Sequence, residues 1–263
     1  MNKERRIGLN IIQDIIMTNK NLVPKSIKSI MRNWRIILVG IVYVILSGVM
    51  WRVAANAWIL GGIITALFQG AIISNYLYLI ENIIKYEKFT LDDFKNGFTI
   101  YLRKIYILLI IFWFVRYGFS LFLRPVFYTR VGPVTLWFLV QLAALILLNP
   151  LPEVIYQKHY DPGYTLSYSF EFIKENWLEW FIPNGFILGI IYLIYFLINN
   201  FINFTPMAMA NSNFIVFTLF RYLIYIVVYQ LILSFAMIYR GHLFNILSTS
   251  TRRKRMFMRN MYK

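Results

Sequence analysis

The chain has 263 residues, of which 59% are hydrophobic and only 14% charged, with a mean hydropathy of +0.60 and a formal net charge of +16. No soluble domain needs so large an apolar share for its core, so the composition excludes a soluble enzyme or binding domain and points to a protein that crosses the membrane several times. The absence of cysteine removes disulfides, thiolate metal sites and cysteine nucleophiles, and leaves the compartment open.

About 35 residues of mixed character precede the first apolar run, unlike the short basic segment and immediate apolar core of a secretory signal, so no cleavage is expected. Gly8 to Thr18 sets Leu9, Ile11, Ile12, Ile15 and Ile16 against Asn10, Gln13 and Asp14, the period of a helix lying in the membrane interface. A second such helix is expected to begin after Pro24, with Ile27, Ile30, Met31 and Trp34 at i, i+3, i+4 and i+7. Six apolar runs follow that can cross a core of about 30 Å or nearly so. They are Ile36 to Ala55, Trp58 to Ile80, Ile105 to Leu123, Val134 to Leu151, Phe181 to Ile202 and Phe214 to Tyr239. Between the second and third, Thr90 and Asp93 form a capping-box pair that opens a helix with Leu91, Phe94, Phe98, Tyr101 and Ile105 on its apolar face. Between the fourth and fifth, Asp161-Pro162-Gly163 marks a turn, and Leu166, Phe170, Ile173 and Trp177 continue as a third apolar face. Each of these helices is expected to run straight into a span.

Charge sets the orientation. Segments 1–35, 81–104, 152–180 and 240–263 hold 22 of the 27 Lys and Arg residues and all 11 acidic ones. The others are Arg52, Arg116, Arg124, Arg130 and Arg221. Because the Lys and Arg bias of short loops sets topology, both termini are expected in the cytoplasm of a bacterial cell, and the protein in its inner membrane. The outer connections are too short to form a domain, which leaves function to the membrane or its cytoplasmic face.

Three polar pairs repeat at one spacing. Gln69 precedes Glu81, Gln141 precedes Glu153 and Gln230 precedes His242, each by 12 residues. On a helix that distance is about 18 Å, which puts an amide near mid-bilayer and a polar group near the membrane face. The nonapeptides Ser26 to Trp34, Gly97 to Ile105 and Ser169 to Trp177 match in apolar pattern at offsets of 71 and 72. The chain therefore reads as three copies of interfacial helix, span out and span back, at about 24–81, 95–153 and 165–242, within one transmembrane domain over 1–251. The third copy carries an insertion, placed most simply around Asn203 to Asn213 and in a longer last span.

Pro152-Glu153-Val154, Gly163, Ser169 and Lys174-Glu175-Asn176-Trp177 resemble a group of uncharacterised bacterial six-span proteins related to the membrane domain attached to some glycerophosphodiester phosphodiesterases. In that pattern a fourth span ends at Pro, a polar helix with a Ser follows, and a Lys-Gly-Asn-Trp-like segment leads into span five; here Glu175 stands in place of the Gly. The resemblance implies a membrane domain without an assigned activity, and it carries over no catalytic residue.

Ionisable residues inside spans are functional candidates because they are costly there. Arg221 lies seven residues from the outer start of span six, close enough to snorkel to the headgroups. Arg116 lies 11 residues into span three, about 16 Å from its start, and no span holds a carboxylate to pair with it. It is expected to point into the bundle toward Gln69 or Gln141, or to bind an anion. The three glutamines suit interhelical hydrogen bonds or a polar pathway. Glu81 and Glu153 are expected at the cytoplasmic boundary beside Lys85 and Lys158, in salt bridges or in proton or substrate handling. His159 and His242 show no metal-ligand spacing, and no nucleotide loop, serine elbow or zinc helix appears. The tail at 252–263, with Arg252, Arg253, Lys254, Arg255 and Arg259, suits attraction to an anionic inner leaflet better than binding to nucleic acid.

These observations describe an all-α, six-span membrane protein with no expected cofactor, catalytic residue or metal. Its expected role is a non-enzymatic module that binds lipids or a cytoplasmic or membrane partner. The alternative is a permease subunit of a transporter, such as an ATP-driven exporter with a separate ATPase. A reporter active only in the cytoplasm is expected to give signal when fused after Lys263 and none when fused after Arg130; the reverse would overturn the orientation.

Overall fold

The computed structural model describes residues 3–58, 60–122, 130–131, 134–203 and 213–250, with side chains described for 12–58, 60–122, 135–197, 199–200 and 222–250. The basic tail, with Arg252, Arg253, Lys254, Arg255 and Arg259, lies outside these residues, as does the side chain of Arg221. The described helices are α1 (Lys3–Arg32), α2 (Ile36–Asn56), α3 (Leu60–Tyr86), α4 (Leu91–Ile100), α5 (Leu102–Phe122), α6 (Leu136–Leu147), α7 (Leu151–Gln157), α8 (Pro162–Asn203) and α9 (Asn213–Thr249). A two-residue antiparallel ladder pairs Arg130 with Thr135 and Val131 with Val134 ahead of α6. Six helical stretches are long and apolar enough to cross a membrane, which makes this a multi-pass membrane protein: Ile36–Asn56, Leu60–Tyr86, Leu91–Phe122, Leu136–Gln157, Pro162–Leu197 and Tyr222–Thr249.

Several boundaries differ from the sequence expectation. The two helices expected around Pro24 are one, α1, because Pro24 is exposed and the carbonyl that its missing N–H leaves open sits on the accessible side. The fourth span is not continuous. Its helix stops at Leu148, whose N–H reaches the carbonyl of Ala144, and Pro150 caps the short α7. The helices expected to run straight into the first and third spans are separated from them by a turn at 33–35 and by a break at Tyr101. In α8 the two are merged across a kink, where Asn176 has φ −123° and ψ 19°.

Two compact units share the described residues, one within 1–50, 83–88 and 178–263 and the other within 51–82 and 89–177. In the first, α1 packs along α9. Its buried stripe, Asp14, Thr18, Leu22, Ser26 and Ile30, recurs every fourth residue, and the Tyr239 hydroxyl donates to the side-chain carbonyl of Asn19. Trp180, fully buried, meets Phe244 edge-on at 6.3 Å and carries the Arg240 guanidinium 5.1 Å from its ring centre.

In the second unit α4 opens at the expected capping box, with the Asp93 N–H donating to Thr90 Oγ1 and the Thr90 N–H to Asp93 Oδ2. The helix then seats on α3. Ser74 Oγ donates to the Gly97 carbonyl and accepts from the Tyr101 N–H, each at 2.8 Å, and Asn75 donates to the Phe94 carbonyl. Gly97 allows this approach: a Cβ there would lie 3.0 Å from Asn75 Nδ2, 3.1 Å from the Tyr78 ring and 3.2 Å from the Asn75 Cα. Gly97→Ala is therefore expected to destabilise the protein by about 1–3 kcal/mol, read as a lowered thermal midpoint in detergent. Gly189→Ala, where an added Cβ meets nothing within 4 Å, is expected to cause no loss.

Candidate functional site

Buried polar side chains gather where the charged segments meet the spans. In the second unit, Glu81 on α3 is 5% exposed and accepts a hydrogen bond from the Tyr101 hydroxyl at the start of α5. Glu153 on α7 is fully buried, with Val154 and Tyr156 beside it. Lys104 on α5 donates from Nζ to the carbonyls of Ile155 and Lys158, both at 3.2 Å, which closes the end of α7. Glu81 and Asp161 supply the opposite charge around that ammonium. Glu81 and Glu153, expected at the cytoplasmic boundary, are thus both buried. The chain continues past each carboxylate into more buried residues, Asn82 and Ile83 after one and Val154 to Tyr156 after the other.

The first unit holds the third repeat of the polar spacing. Gln230 on α9 is 6% exposed, and its Nε2 donates to the Ile36 carbonyl on α2 and to Ser234 Oγ, each at 3.4 Å. This is the expected interhelical use of a glutamine. Gly40 makes room for it, since a Cβ there would come within 2.5 Å of Gln230 Cγ. His242 is 4% exposed, and its Nε2 has no hydrogen-bond partner among the described residues. Nearby, Arg32 pairs with the Glu87 carboxylate at 2.5 Å and Asn33 Nδ2 donates to the Glu87 carbonyl at 3.0 Å. Together they hold Glu87 at a φ of 59°, an unusual conformation for a residue with a side chain.

Gln69, Gln141 and Arg116, all in the second unit, are exposed. The structure does not bring them together in a bundle interior. The Tyr101–Ser74 bond fixes the register of α5 against α3, and the Tyr106 hydroxyl donating to the Leu67 carbonyl confirms that the two run antiparallel. Fifteen residues beyond Tyr101, about 22 Å at 1.5 Å per residue, α5 reaches Arg116; the same rise from Ser74 reaches Leu60, the start of α3. Arg116 therefore lies near the level of the start of α3, close in sequence to the stacked Trp113 and Tyr117 and level with the exposed Trp58. Aromatic rings beside a snorkelling cation suit an interface. Gln69 lines an open groove of about 510 Å³ with Trp51, Ala54, Trp58, Gly62 and Thr65.

The sequence argument missed Ser74, Asn75, Tyr101 as a hydrogen-bond donor, and Lys104. A signal for Lys104 was present: in the matching nonapeptides it occupies the position of Asn33 and Asn176. No comparable pattern marks Ser74. Chemically the arrangement cross-links helix ends, and among the described residues the groove at Gln69 is lined by no acidic side chain. Among the described residues no group of three His, Asp or Glu side chains is placed to hold a metal ion. No family model, curated protein or solved structure matches the chain.

Tyr101→Phe removes the donor to a buried carboxylate and is expected to cost about 1–3 kcal/mol of stability. Glu81→Leu on that background is expected to restore part of the loss, and a double-mutant cycle by thermal unfolding in detergent measures the coupling. Additive effects would mean that the pair does not hold the helices together.

Proposed function

We propose that the protein is a non-enzymatic module of the bacterial inner membrane that engages lipids or a partner through its interfacial helices, with both termini cytoplasmic. One observation carries this reading. The three interfacial segments bury a small residue at the same place in the matching nonapeptides: Ser26 and Ser169 at 0% exposure, and Gly97. Each also turns large apolar side chains outward: Ile27 and Met31 on the first, Leu91 and Ile100 on the second, Phe170 and Trp177 on the third. Apolar side chains held outward at the end of a span are suited to the headgroup and acyl boundary.

The reading includes the threefold repeat of hairpins. Two hydrogen bonds support it: Asn33 donates to the Glu87 carbonyl and Lys104 to the Lys158 carbonyl, from the same nonapeptide position to a residue 54 further along. Asn33 and Asn176, also equivalent, each donate to the carbonyl four residues before, at 2.8 and 3.1 Å. The expected kinship with the membrane domain of some glycerophosphodiester phosphodiesterases fits the same reading and assigns no catalytic residue.

Because the chain has no cysteine, single nitroxide labels can be placed on new cysteines without background. Labels at Met31, Ile100 and Phe170 are expected to collide with oxygen dissolved in the bilayer far more than with a water-soluble paramagnetic complex. Water-like accessibility at all three would refute the interfacial assignment. A stoichiometric ATPase retained during mild purification from native membranes would replace the module by a transport subunit.

A further inference from the structure

The three interfacial segments share an outward apolar side but differ in charge, and the faces of α1 show where its charge lies. At about 100° per residue, the last turns of α1 divide into thirds. Leu22, Ser26 and Ile30 form the buried third. Val23, Ile27 and Met31 form the next, continued by Trp34 in the following turn; Ile27 is 47%, Met31 72% and Trp34 56% exposed. Lys25, Lys28 and Arg32 form the last third, continued by Arg35, and all four are exposed.

In the other two segments the exposed cations, among them Arg103 at the position of Arg32, are accompanied by carboxylates. On α4 the exposed Asp92 and Lys95 lie 4.0 Å apart, and Asp93 closes the capping box. The segment from Pro162 to Trp177 exposes Glu171, Lys174 and Glu175. A helix that sets an apolar face beside a basic one rests the first in the acyl boundary and brings the second to the headgroup phosphates.

We infer that α1 is a docking surface for anionic phospholipid headgroups, and that it alone among the three segments selects lipid by headgroup charge. This rests on the interfacial reading given above. Arg32 is engaged by Glu87. Lys28 and Arg35, exposed and without an ion pair or hydrogen bond from their side chains among the described residues, therefore carry the selection together with Lys25. Lys25 also borders the buried His242, so the test leaves it unchanged.

The test uses the full chain with Ile27→Cys carrying an environment-sensitive fluorophore, reconstituted in mixed phosphatidylcholine and phosphatidylglycerol bilayers. A trace of one lipid or the other bears a quencher high on its acyl chain. The anionic quencher is expected to be enriched severalfold at residue 27 over the zwitterionic one. Lys28→Gln and Arg35→Gln are each expected to lower that enrichment by up to about fivefold at low salt, as is raising the salt to about 1 M, where the Debye length falls to about 3 Å. The same fluorophore at Phe170→Cys is expected to show no preference. Emission at residue 27 characteristic of the bilayer, with equal quenching by both lipids, would overturn the charge selection and leave the interfacial reading standing. Water-like emission at residue 27 would overturn both. An equal anionic preference at residues 27 and 170 would overturn the assignment to α1.

Discussion

At 33–35, at Tyr101 and at Asn176, where membrane-length stretches join the helical segments before them, the helix is broken or kinked and backbone groups are freed that lipid cannot hydrogen-bond. Such a group costs several kcal/mol in hydrocarbon, so the break must be closed from within the protein. At one break Asn33 Nδ2 adds a hydrogen bond to the carbonyl of Ser29, which also accepts the Asn33 N–H, and at another Asn176 Nδ2 donates to that of Phe172. At Tyr101 the same need is met across helices, where Ser74 Oγ takes the N–H of Tyr101 and gives its own proton to Gly97. That hydroxyl, with Asn75 on the Phe94 carbonyl and Tyr106 on the Leu67 carbonyl, seats α4 on α3 and sets the register of α5.

The packing that surrounds these closures is built on small residues. Between spans in lipid the hydrophobic effect contributes little, and close approach with interhelical hydrogen bonds takes its place. Gly61 against the Ala54 carbonyl, Gly70 against Tyr106 and Gly40 against Gln230 leave no room for a methyl group, and Gly97 against Asn75 leaves little. Large side chains pack inside near the charged ends of the spans: Ile80 and Tyr156 in one unit, Trp180 and Phe244 in the other. Elsewhere the spans turn Phe, Leu and Ile outward, as Phe114 and Leu188 do, which is where a bilayer would receive them.

Within this frame the buried ionisable groups serve as cross-links. Glu81 is committed to Tyr101 and the Lys104 ammonium to two carbonyls at the end of α7. The chemistry left to the surface is of another kind, an apolar side on each interfacial segment and a basic face on α1. The proposed module rests on that division, with the interior holding the helices in place and the segments before the spans assigned to lipid.

Much of the fold was legible in the order of residues. Span-length apolar runs and the Thr90–Asp93 cap depend on local periodicity and length, which a linear sequence carries in full, whereas the expected apolar faces before the spans divide, with Met31 and Phe170 exposed but Ile30, Tyr101 and Ile173 buried. Which glutamine would be buried was not legible. Gln69, Gln141 and Gln230 have the same spacing to the next polar residue, yet only Gln230 meets a neighbouring helix, because Gly40 opens a place for it on α2 nearly 200 residues away. The level of Arg116 against its neighbouring helix was likewise decided by tertiary contact: the Ser74–Tyr101 bond sets α5 so that Arg116 comes near the start of α3. Composition and periodicity determined that the chain crosses the membrane and where it lies along it. Which polar groups face inward depended on the approach of helices distant in sequence, since hydrogen bonds and steric room belong to pairs of surfaces and not to either one alone.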